Sequence, residues 1–339
     1  MRPEEATYGS DKHGLVWGYL FAPGQPPAHV DSDAAAEWLA ASPRSPQNSF
    51  LWLHFALSNA ASERWLRSHL TLPDTFYEFL GSNSIGSTRL EQDGDALVAV
   101  VHDAVFDFTF DPAAVSTVCL CIEPRLFLSA RLRPLRSIDR LRGAVKAGQG
   151  FRSSAELLAH LLREQAGVLV DIARESSSRV DLIEDKLLED RIPLGRRELA
   201  ALRRTLVRLQ RLLAPEPAAL FRLLSRPPGW IAGDNFEDLR QAAEEFSTAV
   251  SDTAALVERI KILQEELAAT INEQTNRTLF TLTIVTVLAL PINLVASLLG
   301  MNVGGIPFGE NSHGFFLIVA ALVGLTAVLA YLTLGRRRD

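Results

Sequence analysis

Counting alternately three and four residues from Asn276 gives Asn276, Leu279, Thr283, Thr286, Leu290, Asn293, Ser297 and Gly300. At helical spacing these positions share one stripe, which gathers two carboxamides and three hydroxyls. The stretch Thr278 to Gly309 around them contains no charged side chain. Polar groups in an apolar helix are costly unless they face water, an ion path or a partner helix. Ser and Thr often bond neighbouring helices inside membranes, but the Asn293 carboxamide at mid-span points to an ion path. Leu279 and Leu290 interrupt the stripe as apolar rings, able to block ions by dewetting. Followed backwards, the stripe passes Asn272, Glu265 and Glu258, so Glu258 and Glu265 form an acidic vestibule on the same face. The offset stripe Leu256, Ile260, Leu263, Leu267 and Ile271 is apolar and should pack on neighbours.

The polar stripe closes on Gly300-Met301-Asn302. The Asn302 amide oxygen and the carbonyls of a helix C-terminus are neutral oxygen ligands at the negative end of a dipole. Such ligands suit a hydrated cation that must be held weakly and released. Zinc prefers nitrogen and sulfur once stripped of water, so selectivity for zinc would have to come partly from elsewhere. His313, in the same loop, can meet an arriving cation or a proton near neutral pH; its plainer role is that of an interfacial loop residue. Cys119 and Cys121 lie two apart on a strand, so both thiols face one side. With His102 or Asp103 from a neighbouring strand they would make a metal site; alone they read as core packing. His54 alternates with Trp52 and reads as structural. No nucleophile–base pair, Gly-rich phosphate loop or paired-carboxylate signature stands out, nor any feature of nucleic-acid binding. The expectation is a protein that is not an enzyme, carries no cofactor and is driven by an ion gradient or the membrane potential.

The elements that position these groups are a membrane tail and a charged body. The chain has 339 residues, 47% hydrophobic and 22% charged, with a formal net charge of −6. Averages hide the segregation: two charge-free runs, Leu279–Leu299 and Gly314–Leu334, each reach the roughly 20 residues that span a bilayer. The loop 303–313 carries no Lys or Arg, whereas Arg277 precedes the first span and Arg336, Arg337 and Arg338 follow the second. The positive-inside bias puts both termini in the cytoplasm and the loop outside. No basic start followed by an apolar run opens the chain, so no secretory signal is expected. The two cysteines give no disulfide framework, which suits a reducing compartment. Two spans with a short hairpin cannot enclose a pore, so a conduit requires an oligomer.

Before Arg142 the pattern is mixed α/β. Strands are expected at Leu15–Phe21, Phe50–Phe55, Ala96–His102, Ser116–Ile122 and Leu126–Ala130. Helices are expected at Asp33–Ala41 and Ala60–Leu70, opened by Ser32 or Asp33 and by Ser58 or Asn59. Later helices run Ser154–Glu189 and Leu194–Leu213, the second ending before Pro215 and Pro217. From Asn235 to Leu290 there is neither Pro nor Gly, which predicts one very long helix entering the membrane. Residues 191–226 carry nine Arg against Glu198 and Glu216, and residues 234–273 carry ten acids against Arg240, Arg259 and Lys261. That asymmetry predicts complementary packing between neighbouring helices, an acidic surface that concentrates cations near a pore, or both.

Gly300-Met301-Asn302 at the outer end of the first of two C-terminal spans, after a very long helix, resembles the CorA/ZntB superfamily of divalent-cation transporters. The run Val303-Gly304-Gly305-Ile306-Pro307 is similar to the ZntB branch. CorA magnesium channels usually have Tyr before the motif and an acidic loop after it; here Leu299 precedes it and Glu310 is the one acid of the loop. Gly14–Phe21, Trp52-Leu53-His54, Ala61–Leu66, Leu135–Asp139, Leu212–Pro215 and Leu263–Arg277 also resemble the ZntB branch. The resemblance implies a homopentameric funnel with an α/β cytoplasmic domain, a stalk helix continuing into the pore helix, and an outer second helix. It implies zinc as the main substrate and proton-linked uptake through a bacterial-type inner membrane.

The expected organisation is an α/β domain at 1–150, a helical part at 151–233, a stalk at 234–277 and a pore-lining span at 278–299. An outer loop at 300–313, a second span at 314–334 and a basic tail at 335–339 complete it. The function expected is transport of divalent cations, zinc first. The alternatives are a CorA-like magnesium, cobalt or nickel channel, and a cytoplasmic sensor or scaffold anchored by a helical hairpin.

Overall fold

The computed structural model describes residues 9–41, 49–81, 88–105, 115–188, 192–231, 233–301 and 313–335. Two compact units emerge, Met1–Ile262 and Leu263–Asp339. The first is built on seven strands: β1 (Leu15–Phe21), β2 (Ala28–Val30), β3 (Phe50–Ala56), β4 (Arg89–Asp93), β5 (Ala96–Ala104), β6 (Val115–Glu123) and β7 (Leu126–Arg131). They form one sheet in the order β2-β1-β3-β7-β6-β5-β4. All pairs are antiparallel except β3 with β7, where Leu51 faces Leu126 and Phe55 faces Ala130. The five expected strands are all present. β2 and β4, which sequence patterning did not show, are the two edges: β2 is three residues long and β4 is polar and largely exposed.

Strand alternation divides the core into two layers. Leu51, Leu53, Phe55, Leu128, Val98, Cys119 and Cys121 point to one face. There they meet α1 (Ser32–Ala40), α2 (Ala61–His69) and α3 (Asp74–Gly81) through Ala35, Trp65, Phe76 and Phe79. The opposite face is covered by α4 (Arg136–Lys146) and α5 (Ser154–Leu188), which pack on β5 and β6. One cap differs from those expected and one, Asn59, agrees. Asp31, not Ser32 or Asp33, opens α1, accepting from the Ala34 N–H at 2.8 Å. Asn59 accepts from the Ala61 N–H at 2.9 Å at the start of α2.

After α5 come α6 (Ile192–Leu213) and α7 (Pro215–Ser225). Pro215 does stop α6, but it also opens α7 as its first helical residue, where the missing N–H costs nothing. Helix α8 then runs without interruption from Asp234 to Leu299, 66 residues. Helix α9 (Gly314–Gly335) completes the chain. The complementary packing expected of the basic and acidic stretches takes another form. Carboxylates of α8 meet Arg152, Arg163, Arg240 and Lys261, and Arg259 of α8 meets Asp181 and Glu184 of α5. Among the described residues no ion pair joins α6 or α7 to α8.

Candidate functional site

Helix α8 supplies the candidate conduit. Its C-terminal part and α9 have a mean hydropathy of 2.3 over their most apolar windows and are almost wholly exposed in the isolated chain. Such a surface, with Leu290 at 66%, Phe315 at 73% and Tyr331 at 79% exposure, is stable only in lipid or against other chains. Asn276, Leu279, Thr283, Thr286, Leu290, Asn293, Ser297 and Gly300 are all exposed. The partly covered positions of this span are Ile284, Leu288, Ala289, Pro291 and Val295. None of them belongs to the polar stripe, so every stripe residue of the span is uncovered in the isolated chain.

The hydroxyls of the stripe are chemically biased. Thr283 donates to the Leu279 carbonyl at 2.8 Å and Thr286 to the Leu282 carbonyl at 2.9 Å. Each hydroxyl proton is thus used within the helix, and the oxygen lone pairs remain for water or a cation. Thr281, off the stripe, makes the same bond to Arg277, so this bias is a property of the helix and the stripe selects which hydroxyls share a face. Pro291 is a feature the sequence reasoning passed over. It has no N–H to give the Val287 carbonyl, which withdraws one helical bond from that backbone acceptor at mid-span. The signal was in the sequence, because a proline inside a spanning run always withdraws one helical bond.

At the outer end, α8 stops at Leu299. Gly300 donates its N–H to the Ala296 carbonyl at 2.9 Å, and Met301 is half-exposed. Gly300 and Met301 therefore sit at a helix C-terminus, as the motif requires. Asn302 and the rest of the loop up to 312 lie outside the described residues. His313 is exposed and its carbonyl accepts from Leu317 in the first turn of α9. Towards the other end of α8, Glu258 and Glu265 are exposed, Glu258 held by Lys261 at 2.8 Å. On the offset stripe Leu256, Ile260 and Leu267 are buried, while Leu263 and Ile271 are partly covered.

The cytoplasmic-type residues singled out earlier have other partners. Cys119 and Cys121 do share a face, and that face is the apolar core: burial pushes their thiols up to about 11 and about 12. Among the described residues no group of three or more His, Cys, Asp or Glu is placed to hold a metal ion. His102 pairs across the sheet with Thr117 and turns its ring away from the thiols to Thr88, 3.2 Å from Nδ1. Thr88 gives its proton to Glu216 Oε1 at 3.0 Å, so the His102 Nδ1–H is the donor of that contact. Glu216 also accepts the backbone N–H of His102 at 2.7 Å, and Gln165 donates to the His102 carbonyl at 3.0 Å. A carboxylate from α7 and an amide from α5 thereby satisfy the β5 backbone where β4 ends. Burial raises the Glu216 carboxyl above its ordinary range. Asp103 accepts two bonds from Ser137 and one from Ala104, and burial still pushes it to about 7.

His54 is structural in detail. Arg131 Nε donates to His54 Nε2 at 2.7 Å, leaving Nδ1–H to donate to Ser129 at 2.7 Å. Ser129 also accepts from Trp52 Nε1 and donates to the Leu53 carbonyl. Burial and the two cations Arg131 and Arg142 hold the imidazole neutral, well below its ordinary pKa.

Similarity to known proteins agrees with this arrangement. Residues 47–337 match the family described as CorA-like Mg2+ transporter protein. The zinc transport protein ZntB of Pectobacterium atrosepticum is 29% identical over 83% of this chain and 85% of its own. The divalent cation transporter CmaX of Pseudomonas aeruginosa is 27% identical over 98% and 99%. The structure of the full-length CmaX protein superposes with a TM-score of 0.79 at 25% identity, over 99% of this chain and 100% of its own. The complete CorA magnesium transporter of Methanocaldococcus jannaschii shares the fold, with a TM-score of 0.73 at 19% identity over 93% and 96%. The chain belongs to the CorA-like family and is a divalent-cation transporter of the membrane.

Proposed function

We propose that this CorA-like chain carries zinc across a bacterial-type inner membrane, through a homo-oligomeric pore lined by α8. The observation that carries the reading is the exposed stripe of Asn276, Thr283, Thr286, Asn293 and Ser297 on one helix, which ends at the turn of Gly300 and Met301. In a symmetric assembly every stripe position repeats around the axis, so each becomes a ring. Neutral oxygens of Asn302 and of the α8 C-terminus select a hydrated divalent cation at the outer entrance. Thr283, Thr286 and Asn293 replace part of its hydration, and Leu279 and Leu290 close the path between passages. Glu258 and Glu265 collect cations at the inner end. The family's fold supports a pentamer with both termini in the cytoplasm. Protons are the proposed coupling ion, and the chain acts without a resident cofactor.

Zinc is favoured over magnesium by the run Val303-Gly304-Gly305-Ile306-Pro307 after the motif and by likeness to the Pectobacterium zinc transporter. The deciding experiment is radiozinc flux in proteoliposomes, with and without a pH gradient and with magnesium as competitor. Saturable zinc flux that responds to the gradient and survives excess magnesium is expected; magnesium flux that zinc only inhibits would replace the reading. Asn302→Ala in the same vesicles should lower zinc flux to background while the oligomer still elutes intact. Near-normal flux in that variant would remove the motif from the path.

A further inference from the structure

The first compact unit carries a groove of its own. The edge strand β4 and the C-terminal half of α7 flank an open groove of about 430 Å³, lined by Thr88, Arg89, Leu90, Gln92, Arg222 and Arg226, with Glu91 and Leu223 completing its walls. Three arginines, with one carboxylate, Glu91, among the described lining residues, therefore meet on one concave surface built from two separate elements. On this unit several exposed arginines find acids: Arg67 with Glu63, Arg140 with Asp171, Arg179 with Glu175, Arg240 with Glu237 and Glu244. Others, such as Arg64 on α2, Arg133 after β7 and Arg204 and Arg208 on α6, are exposed and scattered over separate elements. Arg89, Arg222 and Arg226 are exposed, and among the described residues none of them makes an ion pair. Arg89 rests its guanidinium 5.6 Å from the Phe79 ring, which orients the fork without using its N–H groups.

The chemistry of the walls narrows the ligand. Guanidinium forks match the oxygens of phosphate groups two at a time, and three of them exceed what one carboxylate or halide can occupy. An edge strand adds backbone N–H groups that no neighbouring strand takes. Leu90 and the buried Leu223 provide an apolar wall beneath the charged rim. The groove also touches the point where α7 is fastened to the sheet, because Thr88 both lines it and donates to the buried Glu216. We infer that the β4–α7 groove binds a soluble anion bearing two or more phosphate groups, with Arg89, Arg222 and Arg226 as its ligands. A molecule seated there bridges β4 and α7, so occupancy stabilises the docking of α7.

The test is calorimetric titration of the full-length protein in detergent with inorganic tripolyphosphate, in buffer free of divalent cations. Saturable binding at one site per chain is expected. Arg222→Ala/Arg226→Ala should weaken it about tenfold or more, a loss of about 1.4 kcal/mol. Arg204→Ala/Arg208→Ala removes the same charge from the exposed face of α6 and should change affinity less than about twofold if long-range attraction is minor. Should the α7 double variant fail to fold, Arg89→Gln leaves α7 intact and should by itself weaken binding about threefold or more, given one lost charge-assisted contact. Absence of saturable binding, or equal weakening by the α6 and α7 double variants, overturns the site. Tighter binding of an oligoglutamate peptide than of tripolyphosphate would give the groove to a peptide strand along β4 and overturn the phosphate assignment.

Discussion

The unit before Leu263 and the pair of apolar helices after it treat polar groups in opposite ways. In the first, Trp52, His54, Ser129 and Arg131 are buried together and bonded in series: arginine to histidine, histidine to serine, tryptophan to serine, serine to carbonyl. In the second, threonine hydroxyls spend their protons on their own helix and leave the oxygens uncovered. Large apolar side chains follow the same division. Trp52 and Phe127 are fully buried, while Leu290 and Leu294 are more than 60% exposed. A surface that closes on itself specifies a fold; a surface left open specifies what must surround it. In the assembly proposed above, that is lipid on the apolar sides of α8 and α9, and water, ions and further copies along the polar stripe.

This contrast is sharpest when the same kind of change is made in both regions. Trp52→Ala should cost about 3–5 kcal/mol of stability, since it opens a cavity and strands Ser129. All five tryptophans precede Leu263, so urea unfolding followed by the remaining four reports on the first unit alone. Leu290→Ser should leave that urea midpoint in place and instead raise ion leak through the vesicle membrane. A lowered midpoint for Leu290→Ser, or an unchanged one for Trp52→Ala, breaks the division.

A smaller effect concerns pH. Asp103 has a folded pKa of about 7 against 3.8 when free. A raised carboxyl binds its proton more tightly folded than unfolded, so its contribution is complete below pH 3.8 and is lost as pH rises to about 7. The buried Glu216, raised in the same direction, adds to the trend. The urea midpoint of the first unit should fall between pH 5 and 7 and level off above. Asp103→Asn should flatten that slope, and an unchanged slope in the variant would assign it to other groups. The smallest effect is expected at Glu258, already paired with Lys261. Glu258→Gln should reduce zinc flux about twofold at low salt and hardly at all at high salt, because exposed charges act through a screened field. Equal loss at both ionic strengths would make Glu258 a direct ligand.

How far the sequence reached depends on how local each signal was. β1, β3, β5, β6 and β7 were legible because their apolar runs are bounded by turn formers, and the spans because charge is absent over a bilayer's width. Edge strand β4, Arg-Leu-Glu-Gln-Asp, has no apolar pattern because its faces are exposed and its partner alone makes it a strand. Helix α4 opens without a side-chain cap, and α7 was hidden by the prolines that start it. The stripe of the first span was readable from helical period, whereas Gly300-Met301-Asn302 stood out by its place after that span and its resemblance to a known family. Glu216 was not, since it meets His102 across 114 residues of sequence and no local pattern marks that encounter. Pro291 was visible, and its lost N–H was the part that went unread.

The central claim is that the uncovered polar stripe of α8 is the ion path, and one pair of variants addresses it directly. Asn293→Leu and Thr281→Leu each exchange a polar side chain for the same apolar one in the same span, on and off the stripe. With both proteins inserted and oligomeric, zinc flux in proteoliposomes should fall severely for Asn293→Leu and remain near normal for Thr281→Leu. Equal effects of the two substitutions would reduce the stripe to helix packing and place the pore on another face.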